Sequence, residues 1–259
     1  MKNITIILPV HKVEGDYRIM LDNAIKSVEP FQNDVKLSIV CPIELKPLLV
    51  NLSETLEINI ISNNSKTDFI SQVNLGIEKC DTEWFSILEV DDEYKSIWLK
   101  SINEYVEAYN DIDVFLPIVK DINTDGKFIN FTNESTWAYG FTEKQGVLDN
   151  EVLLDFQNYQ ISGGLYKTQV VKDNGSFKDN IKLTFGYEFL LRLTHNNAKI
   201  MTVPRIGYQH LNFREDSLFW LYKNDDTIKV TEDEAKFWLE TAKKEFFFKN
   251  KRDVNYEIA

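Results

Sequence analysis

The sequence predicts an α/β fold, a central mostly parallel mixed sheet flanked by helices, with a C-terminal helical tail. Three observations carry this. Short β-branched apolar runs alternate with helical-period segments through residues 4–90, the pattern of a sheet with helices on its faces. The 259 residues suit one large α/β domain, and no linker, repeat or long charge block divides them. A hydrophobic fraction of 43% with 13% aromatics excludes a disordered chain, and 10 Gly with 6 Pro exclude a fibrous one.

The elements follow in order. Ile4 to Val10 reads as a buried strand by length and composition. From Asp16 to Val28, Ile19, Met20, Ala24, Ile25 and Val28 recur at helical spacing. Val35 to Val40 and Leu56 to Ile61 are the next strands, with a short helix expected over Ile43 to Leu52. Asp68 to Glu78 is a helix through Ile70, Val73, Leu75 and Ile77, and Trp84 to Val90 a fourth strand. Tyr94 to Tyr109 reads as an amphipathic helix. Val114 to Val119 and Lys127 to Phe131 flank an Asp125-Gly126 hairpin turn. Ile161 to Tyr166, Lys199 to Val203 and Arg205 to Tyr208 are further strands. Tyr187 to Thr194 is a helix, and Glu232 to Lys249 a charged, aromatic-striped one.

Charge and cysteine content narrow the function classes. With 29 Lys+Arg against 41 Asp+Glu the net charge is −12, which argues against a nucleic-acid binder. Cys41 and Cys80 are too few for a disulfide framework or a thiolate zinc site, and their apolar surroundings predict buried structural thiols. The apolar run at the N-terminus is short and charge follows at once, which is not the pattern of a signal peptide. No window approaches the roughly 18 apolar residues of a membrane span. A cytoplasmic protein is the expectation, with a virion-associated one as the alternative.

The densest chemical feature is Glu89-Val90-Asp91-Asp92-Glu93, directly after the fourth strand. Carboxylates at the C-terminal end of a strand in an open α/β sheet face the crevice where ligands bind. Strand alternation puts Glu89 and Asp91 on one side. Converging carboxylates repel unless a cation joins them, and hard oxygen ligands suit Mg²⁺ or Mn²⁺. The other reading is a solvated acidic turn. No phosphate-binding glycine loop, nucleophile elbow or zinc spacing occurs.

Several segments then carry a resemblance. Ile6-Ile7-Leu8-Pro9-Val10-His11, followed by a helix ending Ala24-Ile25-Lys26-Ser27-Val28, is one. Gln72-Val73-Asn74-Leu75-Gly76-Ile77 and then Glu83 to Asp92 form an Asn-x-Gly helix leading into an acidic strand end. Ser162-Gly163-Gly164-Leu165-Tyr166-Lys167, Gly175-Ser176-Phe177, Glu188 to Leu193, Ala198-Lys199-Ile200 and Arg214-Glu215-Asp216-Ser217 follow in order. Over residues 3 to 217 the chain resembles the family 2 nucleotide-sugar glycosyltransferases of GT-A fold. The resemblance implies one GT-A domain over 1–217 and a helical extension over 218–259. It also implies transfer of a sugar, of hexosyltransferase type, from a nucleotide-diphosphate donor to a carbohydrate or glycoconjugate hydroxyl.

By position, the resemblance makes Glu89, Asp91 and His210 metal ligands for Mn²⁺ or Mg²⁺. It places Pro9, Val10, His11, Asp68, Asn74, Asp91 and Asp92 around the nucleotide-sugar. Two departures stand out. Val40 runs into Cys41-Pro42-Ile43-Glu44 where the family has a base-contacting Asp-Asp-Gly-Ser. Phe185 and Gly186 stand where a catalytic Glu-Asp is expected, leaving Glu188 as the nearest carboxylate. Glu188 is then either a displaced general base or the exposed i, i+4 partner of Arg192. These departures keep open a non-catalytic descendant of the fold, used as a binding or structural subunit of an assembly such as a virus particle. Trp137 and Tyr139 are candidates for sugar stacking. The Phe237, Trp238, Phe246, Phe247, Phe248 stripe is a candidate surface for a protein partner.

Overall fold

A computed structural model describes residues 3–50, 52–64, 67–134, 146–155, 157 and 159–246. The strands are β1 (Ile4–Pro9), β2 (Val35–Pro42), β3 (Ile58–Asn63), β4 (Trp84–Ile87), β5 (Glu93–Tyr94), β6 (Val114–Ile122), β7 (Phe128–Thr132), β8 (Val147–Leu148), β9 (Leu165–Lys167) and β10 (Ile200–Leu211). The helices are α1 (Asp16–Val28), α2 (Phe69–Lys79), α3 (Trp98–Ala108), α4 (Asn150–Asp155), α5 (Thr168–Asp173), α6 (Phe185–His195), α7 (Leu218–Asn224) and α8 (Glu232–Glu245).

The strands form one sheet in the order β3-β2-β1-β4-β9-β6-β10-β5, with β7 paired to β6 and β8 to β10. The longest ladders, β1 with β2, β2 with β3 and β6 with β10, are parallel. Antiparallel β9 joins the two parallel blocks by pairing with β4 on one side and β6 on the other. The expected α/β class with a mixed sheet is what forms.

β1 shows why the sheet is buried on both faces. Ile6 and Leu8 join a core with Leu21, Ile25 and Val28 of α1, while Ile7 joins a second core with Ile70, Val73 and Ile77 of α2. A parallel strand covered on both sides reads as an unbroken apolar run, and burying each such side chain stabilises by about 1.5–3 kcal/mol. Gly76 permits the second contact: a Cβ there would lie 2.5 Å from Ile7 Cγ2.

Boundaries moved where local chemistry overrode the pattern. The helix expected over Ile43 to Leu52 is a 3-10 turn over Ile43–Leu48, with Pro47 inside it lacking the amide a longer α-helix needs. The fourth strand stops at Ile87, and the helix expected from Tyr94 begins at Trp98 because Tyr94 pairs with Tyr208 in the sheet. The strand expected from Ile161 begins at Leu165, after Gly163 turns the chain at φ 78°. The two strands expected around Pro204 are the single strand β10, whose pairing with β6 is irregular between Val203 and Tyr208. Pro204 falls inside that irregularity, where a missing N–H breaks no regular ladder.

Beyond residue 217, α7 and α8 rest on the domain. Trp238, Leu239 and Phe219 pack against the second core, and Phe246 is buried beside His195 with ring centroids 5.3 Å apart. Phe237 is 60% exposed. Phe247, Phe248, Trp137 and Tyr139 lie outside the described residues. Cys41 and Cys80 are both buried free thiols, as expected. Among the described residues no helix is long and apolar enough to cross a membrane.

Candidate functional site

The site is built where β4 ends. Leu88 still donates to the Ile7 carbonyl, and then the chain turns, with Asp92 N–H donating to the Glu89 carbonyl at 3.2 Å. That turn, rather than strand alternation, decides which carboxylates meet. Glu89 and Asp92 converge with His210 from the far end of β10, and one ligand atom of each lies within 4.8 Å of the others. Asp91 points elsewhere, onto Arg214 Nε at 3.0 Å. Of the expected trio of Glu89, Asp91 and His210, Glu89 and His210 converge, and Asp92 rather than Asp91 lies with them.

Each group is held by named partners. The Asp92 side chain is fully buried, and its carboxylate accepts from His210 Nδ1 at 3.0 Å and from the Leu211 amide at 2.9 Å. Glu89 Oε1 accepts from Ser162 Oγ at 2.6 Å, and the Glu89 amide donates to the Tyr208 hydroxyl at 3.0 Å. Burial, then the Asp92 charge, pushes the Glu89 carboxyl up to about 8. Burial and the same neighbour raise Asp91. Burial alone would lower His210, but the charge and hydrogen bond of Asp92 outweigh it and push the imidazole up to about 10. Both shifts arise from burying like charges around one imidazole, an arrangement that a cation would neutralise. Two carboxylates and an imidazole are ligand types that fit a divalent ion.

A second layer fixes Ser162. Asn133, buried at φ 65°, accepts from the Gln160 amide at 2.9 Å and donates to the carbonyls of Gln160 and Pro117 at 3.0 and 2.9 Å. Its side chain thereby pairs the 159–162 segment with β6 as a neighbouring strand would. Gly163 lets this segment pass Tyr208, where a Cβ would come within 2.5 Å of the ring. Neither Asn133 nor Tyr208 carries a sequence signal, since their partners lie far along the chain.

Beside the cluster opens a cleft of about 520 Å³. Phe69, Phe185 and Phe219 form an aromatic wall, with Phe185 and Phe219 stacked at 5.9 Å and 12°. Glu89 is the only carboxylate among the described residues lining it, and Lys223 of the C-terminal extension is its only lysine. A narrower cavity of about 30 Å³ adjoins Asp91 and is bounded by Pro9, His11, Arg214 and Ser217.

The remaining expected residues separate into two groups. Pro9 and His11 face that narrow cavity. Val10 is buried, and its amide donates to the Val40 carbonyl at 2.8 Å. Asp68 caps α2 by accepting from the Ser71 amide and hydroxyl at 3.0 and 2.6 Å. Asn74 donates to the Phe177 carbonyl and accepts from its amide, tying α2 to the 174–177 turn. Phe185 and Gly186 do line the cleft. Glu188 does not: its carboxylate is 2% exposed and paired with Arg192 Nε and Lys178 Nζ, both at 2.8 Å. The i, i+4 contact with Arg192 is present, but buried where an exposed pair was expected.

Residues 47–162 match the model of glycosyl transferase family 2. The match covers less than half of the chain, and the fold around it is of the GT-A kind, so the chain is similar to the family 2 glycosyltransferases. Among solved structures, the chain is similar to S. aureus TarS 1-349, at TM-score 0.62 and 13% identity, covering 92% of this chain and 78% of that one. It is also similar to TarS 1-349 in complex with UDP-GlcNAc, at TM-score 0.60 and 13% identity over 82% of this chain. The chain spans 59% of the length of that second TarS chain. The UDP complex gives a TM-score of 0.57 at 14% identity. No curated protein matches the sequence.

Proposed function

We propose that this protein transfers a sugar from a nucleoside-diphosphate donor to a hydroxyl of a carbohydrate or glycoconjugate acceptor, with a divalent cation at Glu89, Asp92 and His210. The convergence of these three groups at the mouth of a cleft, on a GT-A sheet, carries the reading. TarS is held with UDP and UDP-GlcNAc, so uridine is the nucleotide proposed here. Bound there, Mn²⁺ or Mg²⁺ supplies charge neutralisation for the departing diphosphate.

The chain's own residues divide the remaining tasks. Pro9, His11 and Asp91 face the nucleotide, and the wall of Phe69, Phe185 and Phe219 faces the acceptor. Ser162, held by the Asn133 clamp on its neighbour Gln160, orients Glu89. Glu188, neutralised by Arg192 and Lys178, is a strut for the 174–177 turn rather than a proton acceptor. What supports catalysis over a purely structural role is the cost of the cluster. A packing subunit has no need of two carboxylates and an imidazole buried together, which destabilise the fold until a ligand joins them.

Calorimetry with Mn²⁺ and a panel of UDP- and GDP-sugars tests the reading. We expect UDP-sugar binding only with the metal present, and its loss in Asp92→Asn. Absence of metal-dependent binding at millimolar ligand overturns it.

A further inference from the structure

One face of α7, in the C-terminal extension, turns into the cleft. Phe219 and Lys223 are four residues apart on that helix, so their side chains leave it on the same side. Phe219 stacks on Phe185 at 5.9 Å and 12°, and Phe219 and Lys223 both line the cleft. The helix is held in this orientation at both ends. Ser217 caps it by accepting from the Trp220 amide at 3.2 Å, and the Val230 amide donates to the Tyr222 carbonyl at 2.7 Å.

The positive charges near this face have partners, with one exception. His210 is bonded to Asp92. Lys178 pairs with Glu188 at 2.8 Å, and Lys182 lies 5.3 Å from the centre of the Tyr222 ring. Lys223 is exposed and makes no ion pair, hydrogen bond or ring contact among the described residues. Much of the remaining lining suits an uncharged sugar. The wall of Phe69, Phe185 and Phe219 offers a surface for a ring face, and the neutral amides of Gln157, Gln160 and Asn212 suit hydroxyls. A neutral acceptor needs no more than these. An anionic one does, because a chain of net charge −12 repels it at a distance and Glu89 faces it inside the cleft.

We propose that the acceptor carries a fixed negative charge, a phosphate or a carboxylate on its sugar or polyol, and that Lys223 is the residue that binds it. This rests on the transferase reading given above, which it deepens by naming the class of acceptor. An ammonium on a flexible stem meets either anion as a point charge with three donors, and hydrogen bonds assisted by charge are the strong ones. The extension is then the part of the chain that selects the acceptor: Lys223 binds its charge, and Phe219 on the same helix face packs against its ring.

The test titrates glucose 6-phosphate, glucuronate and glucose, which share one ring and differ in charge, into protein holding Mn²⁺ and UDP. With the cation already engaged by UDP, the added anion has to find another site. At least one anionic sugar should bind wild type about ten-fold tighter than glucose does, the worth of one charge-assisted hydrogen bond. That preference should shrink to within about two-fold in Lys223→Gln, persist in Lys223→Arg, and be unmoved by Lys182→Gln. Whichever anion binds tighter tells phosphate from carboxylate. Equal binding of the three sugars, no binding of either anion at about 10 mM, a preference that survives Lys223→Gln, or its loss in Lys182→Gln overturns the proposal. Wild type that binds no UDP with Mn²⁺ overturns the donor reading instead. The same sugar titrations in EDTA then decide Lys223 on their own: a charge preference lost in Lys223→Gln upholds it, and the absence of one overturns it.

Discussion

Two buried charge clusters sit on opposite sides of this molecule's functional divide. At Glu188 one carboxylate meets two cations, Arg192 and Lys178, and Arg192 spends its remaining donors on the carbonyls of Asn174 and Ser176. At the end of β4, among the described residues, the carboxylates of Glu89, Asp91 and Asp92 face His210 and Arg214, and Asp121 of β6 pairs in register with His210. The first cluster is complete within the chain, whereas in the second the carboxylates outnumber the cations among the described residues, and Glu89 and His210 are both pushed up. The two clusters differ in whether the fold itself supplies the counter-charges of their carboxylates, and on the function proposed above that difference separates structure from site.

The largest expected effect tests the complete cluster. Glu188→Gln leaves Arg192 with no anionic partner among the described residues and should destabilise the fold by about 3–5 kcal/mol. UDP affinity with Mn²⁺ should stay within two-fold of wild type, measured below the melting transition. A protein that keeps its melting temperature but loses sugar transfer would return Glu188 to the role of base and erase the contrast. Next in size, Asn133→Ala removes three hydrogen bonds, one of them buried, and forces alanine into a left-handed backbone, costing about 2 kcal/mol. The stability loss should come with weaker Mn²⁺ binding, because Gln160 and Ser162 no longer fix Glu89. The smallest effect has the opposite sign. Glu89→Gln in EDTA-treated protein should stabilise by about 1 kcal/mol, since a neutral amide needs no counter-charge, while Mn²⁺ affinity falls. Destabilisation by that change would mean that the second cluster is as closed as the first.

Much of this was legible in the sequence, and the gaps have a common cause. β1, α1 and α2 read directly because their periodicity reports burial by immediate neighbours. The acidic turn after β4 read as a site because strand ends in such sheets face crevices. Its membership did not, since Asp92 and His210 are 118 positions apart and meet only through the sheet. Glu188 was ambiguous for the same reason: Arg192 is local, but Lys178 arrives from a separate segment and helps bury the pair. Asn133 was silent altogether, because an asparagine that imitates a strand looks like any loop asparagine.

One consequence concerns β10. It spends 12 residues against the 9 of β6, an odd surplus absorbed between Val203 and Tyr208. Below that stretch Ile200 packs into one core while Met201 and Val203 pack into the other; above it, Tyr208 lies with Met201 and Val203. The stretch therefore acts as a phase shifter, reversing which parity of residue faces which layer. His210 reaches Asp92 because of a residue count, not because of any side chain in between. A lineage of this protein can vary the identities at 204–206 with little loss, but gaining or losing one residue there would turn the imidazole to the wrong layer and dismantle the cluster in a single step.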